Sequence, residues 1–230
     1  MRVTSIEPEI HIAFCASSNL FRYVATAINS IASSNLGAKI YIHLVTCDRN
    51  ELEEAKLSRS ISKFDLVSME ILHLSEKLVN GFFVDRHISK ETYLRVFIPD
   101  LVPDYIDRIL YLDCDIIIVE NLLPLWNSDM DGRSIAAAPD VLLELFDGVP
   151  RGVLGLSDSE TYVNAGVLLI DLRAWRKKNL TARLVRYVVD RGSSLTYHDQ
   201  DAINAVARGD IKLVSCRWNL PVGVFRLTDA

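Results

Sequence analysis

The sequence predicts an α/β fold, a mostly parallel mixed sheet flanked by helices, built as one domain over residues 1–230. Three observations lead there. Short apolar runs alternate with segments of helical period from Ile10 onward, the pattern of strands joined by crossover helices. Half of the 230 residues are hydrophobic, enough for one substantial core. No repeat or linker divides the chain.

The elements follow in order. Ile10 to Phe14 is a first strand, closed by the small polar stretch Ala16-Ser17-Ser18-Asn19. From Leu20 to Ile31 the apolar residues Val24, Ala27, Ile28 and Ile31 recur at helical spacing. Lys39 to Thr46 reads as a strand with Ile40, Ile42 and Leu44 on one face. Asp48 is placed to cap a helix over Glu51 to Ile61, and Met69 to Leu74 is a third strand. In such sheets ligands gather at the carboxyl ends of the strands, which sets Ser17 and Asn19 at a binding edge. Val79 to His87 reads as a loop, Thr92 to Phe97 as a short helix stopped before Pro99, and Arg108 to Val119 as one long strand-like run. Val141 to Thr161, with three glycines and Pro150, reads as a mobile loop. Val163 to Leu172 is a strand, Thr181 to Asp190 and Asp199 to Ala207 are helical, and Ile211 to Val214 closes the sheet.

Composition narrows the function. A formal charge of −5 offers no basic field for nucleic acid. The run Arg173, Arg176, Lys177 and Lys178 reads as a solvated helix end. No segment approaches the ~20 apolar residues that span a bilayer, and Met1 to Glu9 has no apolar core of a signal peptide. The four cysteines are scattered without a C-x-x-C pair and read as reduced, buried thiols. The expectation is a soluble cytoplasmic protein.

Three segments carry chemistry. In Tyr111-Leu112-Asp113-Cys114-Asp115 two carboxylates stand two residues apart inside an apolar run. In extended chain they share a side, and like charges so placed call for a cation between them. A hard divalent ion accepts such oxygens and leaves positions for a diphosphate. A strand-end cap or a salt bridge to Arg108 is the plainer alternative, and the tripeptide alone does not choose. Asn164, in Tyr162-Val163-Asn164-Ala165-Gly166, has amide groups that suit sugar hydroxyls, or else a locally satisfied β-bulge. Asp199-Gln200-Asp201 opens a helix, where an acid is by default a cap but also grips sugar hydroxyls. His198 reads as an ordinary surface or core histidine, and Arg95 as a surface helix cation or else as one that binds phosphate oxygens or bridges to acidic residues.

Taken together these segments resemble glycosyltransferase family 8, especially bacterial lipopolysaccharide α-galactosyl- and glucosyltransferases. The resemblance runs through A-x-S-N after the first strand, His87-Ile88-Ser89 leading to Thr92-Tyr93-x-Arg95, and Ile98-Pro99-Asp100-Leu101. It continues through Asp113-Cys114-Asp115, Asn164-Ala165-Gly166-Val167 with Trp175-Arg176, and Asp199-Gln200-Asp201-x-x-Asn204. It implies a GT-A fold with a Rossmann-like nucleotide half, a UDP-sugar donor, Mn²⁺ or Mg²⁺, a glycan acceptor and retention at the anomeric carbon. By motif position Asp113 and Asp115 are metal ligands, with Asp113 also near the ribose. Ala16 and Asn19 line the uridine pocket, while Arg95, Asn164, Ala165, Asp199 and Gln200 surround the donor sugar. Gln200 sits beneath the anomeric carbon, and an amide is a poor nucleophile, so the resemblance implies front-side attack by the acceptor.

Departures from the pattern accompany it. Relatives continue to an H-x-x-G-x-x-K-P-W segment whose His completes the metal site and whose Lys binds diphosphate, and they carry a basic, aromatic tail for membrane contact. Neither stands in this sequence, and truncation of the family's C-terminal segment is the expectation. Ser17 and Leu20 occupy positions where an acid and an aromatic recognise uracil. A second reading is therefore a non-catalytic domain that binds nucleotide sugar. A haloacid-dehalogenase-type phosphatase fits poorly, because Ile117 replaces that motif's Thr and the motif lies mid-chain.

Overall fold

The computed structural model describes residues 7–83 and 90–227. His87-Ile88-Ser89, the beginning of one matched segment, lie outside the described residues, as does the end of the Val79 to His87 loop.

Seven strands form one sheet in the order β3-β2-β1-β4-β6-β5-β7. They are β1 (Glu9–Cys15), β2 (Lys39–Thr46), β3 (Val67–His73), β4 (Arg108–Leu112), β5 (Ile135–Pro139), β6 (Val163–Asp171) and β7 (Ile211–Leu213). Pairings β1–β2, β2–β3, β1–β4 and β5–β7 are parallel. Only β6 runs the other way, antiparallel to both β4 and β5. The sheet is thus mixed and mostly parallel, as the sequence predicts.

The helices are α1 (Phe21–Ser34), α2 (Glu51–Ile61), α3 (Ile98–Leu101), α4 (Leu123–Trp126), α5 (Val141–Leu145), α6 (Arg151–Leu154), α7 (Leu172–Lys177), α8 (Leu180–Arg191) and α9 (His198–Val206). Alternation along the strands feeds two cores. One face, with Ile10, Ile12, Phe14, Ile40, Ile42 and Leu44, packs against Val24, Ile28 and Ile31 of α1 and Leu57 of α2. The other, with Ala13, Cys15, Tyr111 and Leu168, packs against Leu184 of α8 and Ile203 of α9. The helical-period residues of α1 are the ones that bury, so periodicity alone placed that helix.

Several expectations are corrected. Asn50, not Asp48, caps α2, accepting from the Glu53 N–H at 3.2 Å. Asp48 instead accepts from the Ser18 N–H at 2.7 Å, tying the β2 end to the β1 end. The Arg108 to Val119 run is strand only to Leu112; Cys114 and Asp115 form a turn. Lys90–Phe97 is 3-10 helix, and Pro99 opens α3, where its missing N–H is harmless. Val141 to Thr161 holds α5 and α6, the latter closed by Gly155 at φ +67°, a left-handed C-cap. Of the cysteines only Cys15 is buried, and Cys216 is exposed. Arg176 of the basic run is no free cation, since it donates to the carbonyls of Pro99, Val102 and Ile106. Among the described residues no helix is long and apolar enough to cross a membrane.

Candidate functional site

The carboxyl ends of β1 and β4 lie side by side, and a cavity of about 450 Å³ opens there. Asp113, Cys114 and Asp115 line it, with Arg95, Tyr111 and Tyr23. The two carboxylates share the cavity through a turn and not through the extended strand that the i, i+2 spacing predicts. A backbone bond from Asp113 N–H to the Gly166 carbonyl, 2.8 Å, fixes the turn to β6.

Arg95 is the hub. It is 8% exposed and lies over the Tyr111 ring, 4.5 Å from its centroid. Its Nη1 donates to the Ala165 carbonyl at 2.6 Å and its Nε to the Thr92 carbonyl at 3.1 Å. Nη2 is 3.2 Å from Asp113 Oδ1, and Nε is 2.8 Å from Asp199 Oδ2. Arg95 therefore bridges two acids that the sequence separates by 86 positions (199 − 113). Tyr111 adds a second hold, donating its hydroxyl to Asp113 Oδ1 at 2.6 Å.

Asp199 is 3% exposed, and burial pushes its carboxyl up to about 7 against the pull of Arg95, with Asp113 adding to the rise. The Arg95 Nε–H points at the Thr92 carbonyl, so Asp199 Oδ2 has a charge beside it but no aligned donor among the described residues. A buried carboxylate oxygen in that condition suits a hydroxyl brought by a ligand. The facing charges keep the Arg95 guanidinium protonated despite its burial. Burial, then the charges of Asp115 and Asp113, push the Cys114 thiol up to about 11, so it is no nucleophile.

The second half of the constellation is a polar lattice. The side chain of Asn164 donates to Asp140 Oδ2 at 2.9 Å and accepts from the Gly166 N–H and from Asn219. Both lone pairs of its carbonyl are used, which leaves one N–H for a ligand. Gln200 accepts from the Ala165 N–H at 2.9 Å and donates to Asp140 Oδ2 at 3.1 Å, so its amide is locked. Within Asp199-Gln200-Asp201-x-x-Asn204 the labour is divided. Asp201 accepts from Tyr162 Oη at 2.5 Å and from the N–H groups of Thr196 and Tyr197. Asn204 pairs twice with the Val163 backbone, binding α9 to β6. Asp201 and Asn204 are scaffold, and Asp199 and Gln200 are presented. Gly166 is required: a Cβ there would lie 2.8 Å from Asp113 Oδ2 and 3.0 Å from Asn164 Oδ1.

Arg95, Asp113, Asn164, Ala165, Asp199 and Gln200 thus form one connected group, with Asp115 at its exposed side. Ala16 is fully buried and Asn19 is exposed and paired with Ser17; the cavity wall at that edge is Cys15, Leu20 and Tyr23 instead. The sequence reading missed Tyr111, Tyr23, Asp140 and Asn219. Tyr111 stands beside the acidic motif and Asp140 caps α5, but Tyr23 and Asn219 carry no local signal.

The donor set fits a hard divalent cation in part. Asp113 Oδ2 and the exposed Asp115, which forms no hydrogen bond or ion pair with described residues, supply carboxylate oxygens to one cavity. Among the described residues no group of three or more His, Cys, Asp or Glu side chains is assembled to hold a metal.

A cavity of this volume at the strand ends of such a sheet, lined by Glu91, Asp113 and Asp115 with Arg95, marks a ligand-binding α/β protein. The chain belongs to glycosyltransferase family 8, whose profile, "Glycosyl transferase family 8", matches residues 11–227. The galactosyltransferase LgtC, solved with donor and acceptor sugar analogues, is 26% identical and superposes with a TM-score of 0.86, covering 96% of this chain and 79% of that one. The fold is accordingly GT-A. General stress protein A of Bacillus subtilis is 29% identical over 91% of this chain and 73% of its own length. Glycosyltransferase GlyA of Streptococcus pneumoniae is 30% identical over 84% of this chain, which spans 25% of that protein.

Proposed function

We propose that this chain is a retaining glycosyltransferase that moves a hexose, galactose or glucose, from a UDP-sugar to a glycan acceptor such as a lipopolysaccharide. The observation that carries the reading is the Arg95 bridge. It brings the cavity's Asp113 next to Asp199, whose buried Oδ2 lacks an aligned donor, and so joins a diphosphate-metal edge to a sugar-gripping acid. Family membership and likeness to a galactosyltransferase support it.

Asp113 and Asp115 would hold Mn²⁺ or Mg²⁺, which when bound supplies charge neutralisation for the departing UDP. Asp199 accepts from sugar hydroxyls. Gln200, clamped by Ala165 and Asp140, presents a fixed amide dipole to an oxocarbenium-like carbon without becoming a nucleophile. Asn164 gives its remaining N–H to the donor. Tyr23, 42% exposed on the cavity wall, offers the aromatic surface for uracil that Leu20 does not.

The test is release of UDP from UDP-galactose or UDP-glucose with Mn²⁺, together with calorimetry of UDP and Mn²⁺ on the wild type and on Asp115→Ala. The expected result is turnover by the wild type and loss of metal-dependent UDP binding in the variant. Unchanged UDP and Mn²⁺ affinity in Asp115→Ala would refute the metal assignment. Binding without turnover would favour a nucleotide-sugar-binding domain without catalysis, the reading that the two-carboxylate donor set supports.

A further inference from the structure

His198 stands immediately before Asp199 and Gln200, and its backbone has φ +46°. Few residues without a glycine's freedom hold that conformation, though His, Asn and Asp do so more often than others. A left-handed residue at the first position of a helix persists when its surroundings fix it. Here the surroundings are specific. The imidazole is 1% exposed, and its Nδ1 is 3.0 Å from the hydroxyl of Tyr93, itself fully buried. The same hydroxyl lies 2.8 Å from the carbonyl oxygen of Phe83. The Phe83 ring stacks on the imidazole at 6.0 Å, and Tyr93 meets it edge-on at 87°.

A carbonyl only accepts, so the Tyr93 hydroxyl donates to Phe83, and the imidazole Nδ1 lies within hydrogen-bond distance of an oxygen that this second bond holds still.

We propose that His198 is a positioning residue for glycosyl transfer. The Tyr93–His198 latch holds the left-handed turn that aims Asp199 at Arg95 and seats the Gln200 amide between Ala165 and Asp140. This rests on the transferase reading above. Tyr93 lies two positions before Arg95 on the same 3-10 helix, so one short segment fixes both the hub arginine and the turn that presents the acid facing it. His198 touches no reacting atom in this scheme. Its effect is on where the next two side chains stand.

Three substitutions separate latch, backbone and fold. His198→Gly removes the imidazole yet adopts φ +46° freely, so its defect is not backbone strain. Tyr93→Phe keeps the ring and removes the oxygen. His198→Asn tolerates the left-handed turn, and its amide sets a hydrogen-bonding atom the same number of bonds from the backbone as imidazole Nδ1. In steady-state release of UDP from the donor, His198→Gly and Tyr93→Phe should each lower kcat by about 10- to 100-fold, the scale of a sub-ångström-to-ångström misplacement. KM for the donor and calorimetric affinity for UDP with Mn²⁺ should stay within about 2-fold, because the diphosphate edge is untouched. His198→Asn should recover most of kcat. Equal loss in Asn and Gly variants, wild-type kcat in the Gly variant, or a parallel fall in UDP affinity would each overturn the latch. A wild type that turns over no donor would defeat the transferase reading instead. Long-range ¹⁵N–¹H spectra of the imidazole then still decide whether the latch exists: an Nδ1 signal that shifts in Tyr93→Phe supports it, and an Nδ1 signal unchanged in Tyr93→Phe refutes it.

Discussion

Two polar clusters sit on the same face of the sheet, and they close in opposite ways. One is the Arg95–Asp113–Asp199 group at the carboxyl ends of β1 and β4. The other crosses β1, β2 and the edge strand β3. There His11 Nδ1 meets His43 Nε2 at 3.0 Å, and His43 Nδ1 meets Glu70 Oε1 at 2.5 Å. His43 pairs in register with Glu70, so the relay is a consequence of parallel alignment. Tyr41 stacks on His11 at 4.8 Å and completes it. Each bridging nitrogen has its partner on the next strand, and none of these side chains lines the cavity. In the first cluster a buried Asp199 oxygen lacks an aligned donor, and its neighbours Arg95 and Asp113 line a cavity. Polarity in a sheet is thus no mark of function by itself; an unfilled hydrogen-bond requirement beside open volume is.

The difference can be broken most strongly at Arg95. Arg95→Met should leave Asp113 and Asp199 without their shared cation and cost about 3–5 kcal/mol of stability, measured by urea unfolding at pH 8. At pH 5 the cost should shrink, because Asp199 then takes up a proton instead of standing as a bare charge. A cost independent of pH would contradict the bridge.

Asp199→Asn is the next largest effect. Loss of a charge-assisted sugar contact should lower donor turnover by about 10- to 100-fold, read as kcat/KM. It should also change a pH profile. The folded value near 7 lies above the ordinary Asp value of about 4, so the folded chain binds this proton more tightly than the unfolded one. Its stabilising contribution is full below about 4 and is lost as pH rises through about 7. The Asn variant should lose that slope in thermal melts between these limits.

The histidine relay should show the reverse sign. Burial holds His43 below the ordinary value of 6.5 although Glu70 opposes it, and burial and His43 hold His11 low. Their contribution is present above 6.5 and is lost as pH falls through the lower folded values. His43→Gln should therefore flatten the acid limb of stability while leaving donor turnover at neutral pH unchanged. Loss of turnover would show that the two clusters are coupled.

The smallest effect concerns Cys114. Removing the Asp115 charge, the second cause of its raised value, should speed alkylation by a few-fold at pH 8, mapped by peptide mass spectrometry. No change would place Asp115 farther from the thiol than the shared cavity implies.

The sequence alone determined the strand-and-helix order of the first half, because α1 and β2 bury the residues their periods mark. It also singled out Asp113, conspicuous in an apolar run, and Asp199 and Gln200, at a helix opening, which the structure joins in one connected group. It failed on β5, an Ile-Ala-Ala-Ala-Pro strand whose small side chains carry no alternation, and on α5 and α6, too short for a period. Only the tertiary structure decided that Arg95 is a bridge and not a surface cation, that Asn164 spends most of its amide on neighbours, and that His198 is latched. The physical reason is the same in each case. Period and propensity act over a few residues, whereas satisfaction of a buried donor or acceptor depends on partners as far as 105 positions away.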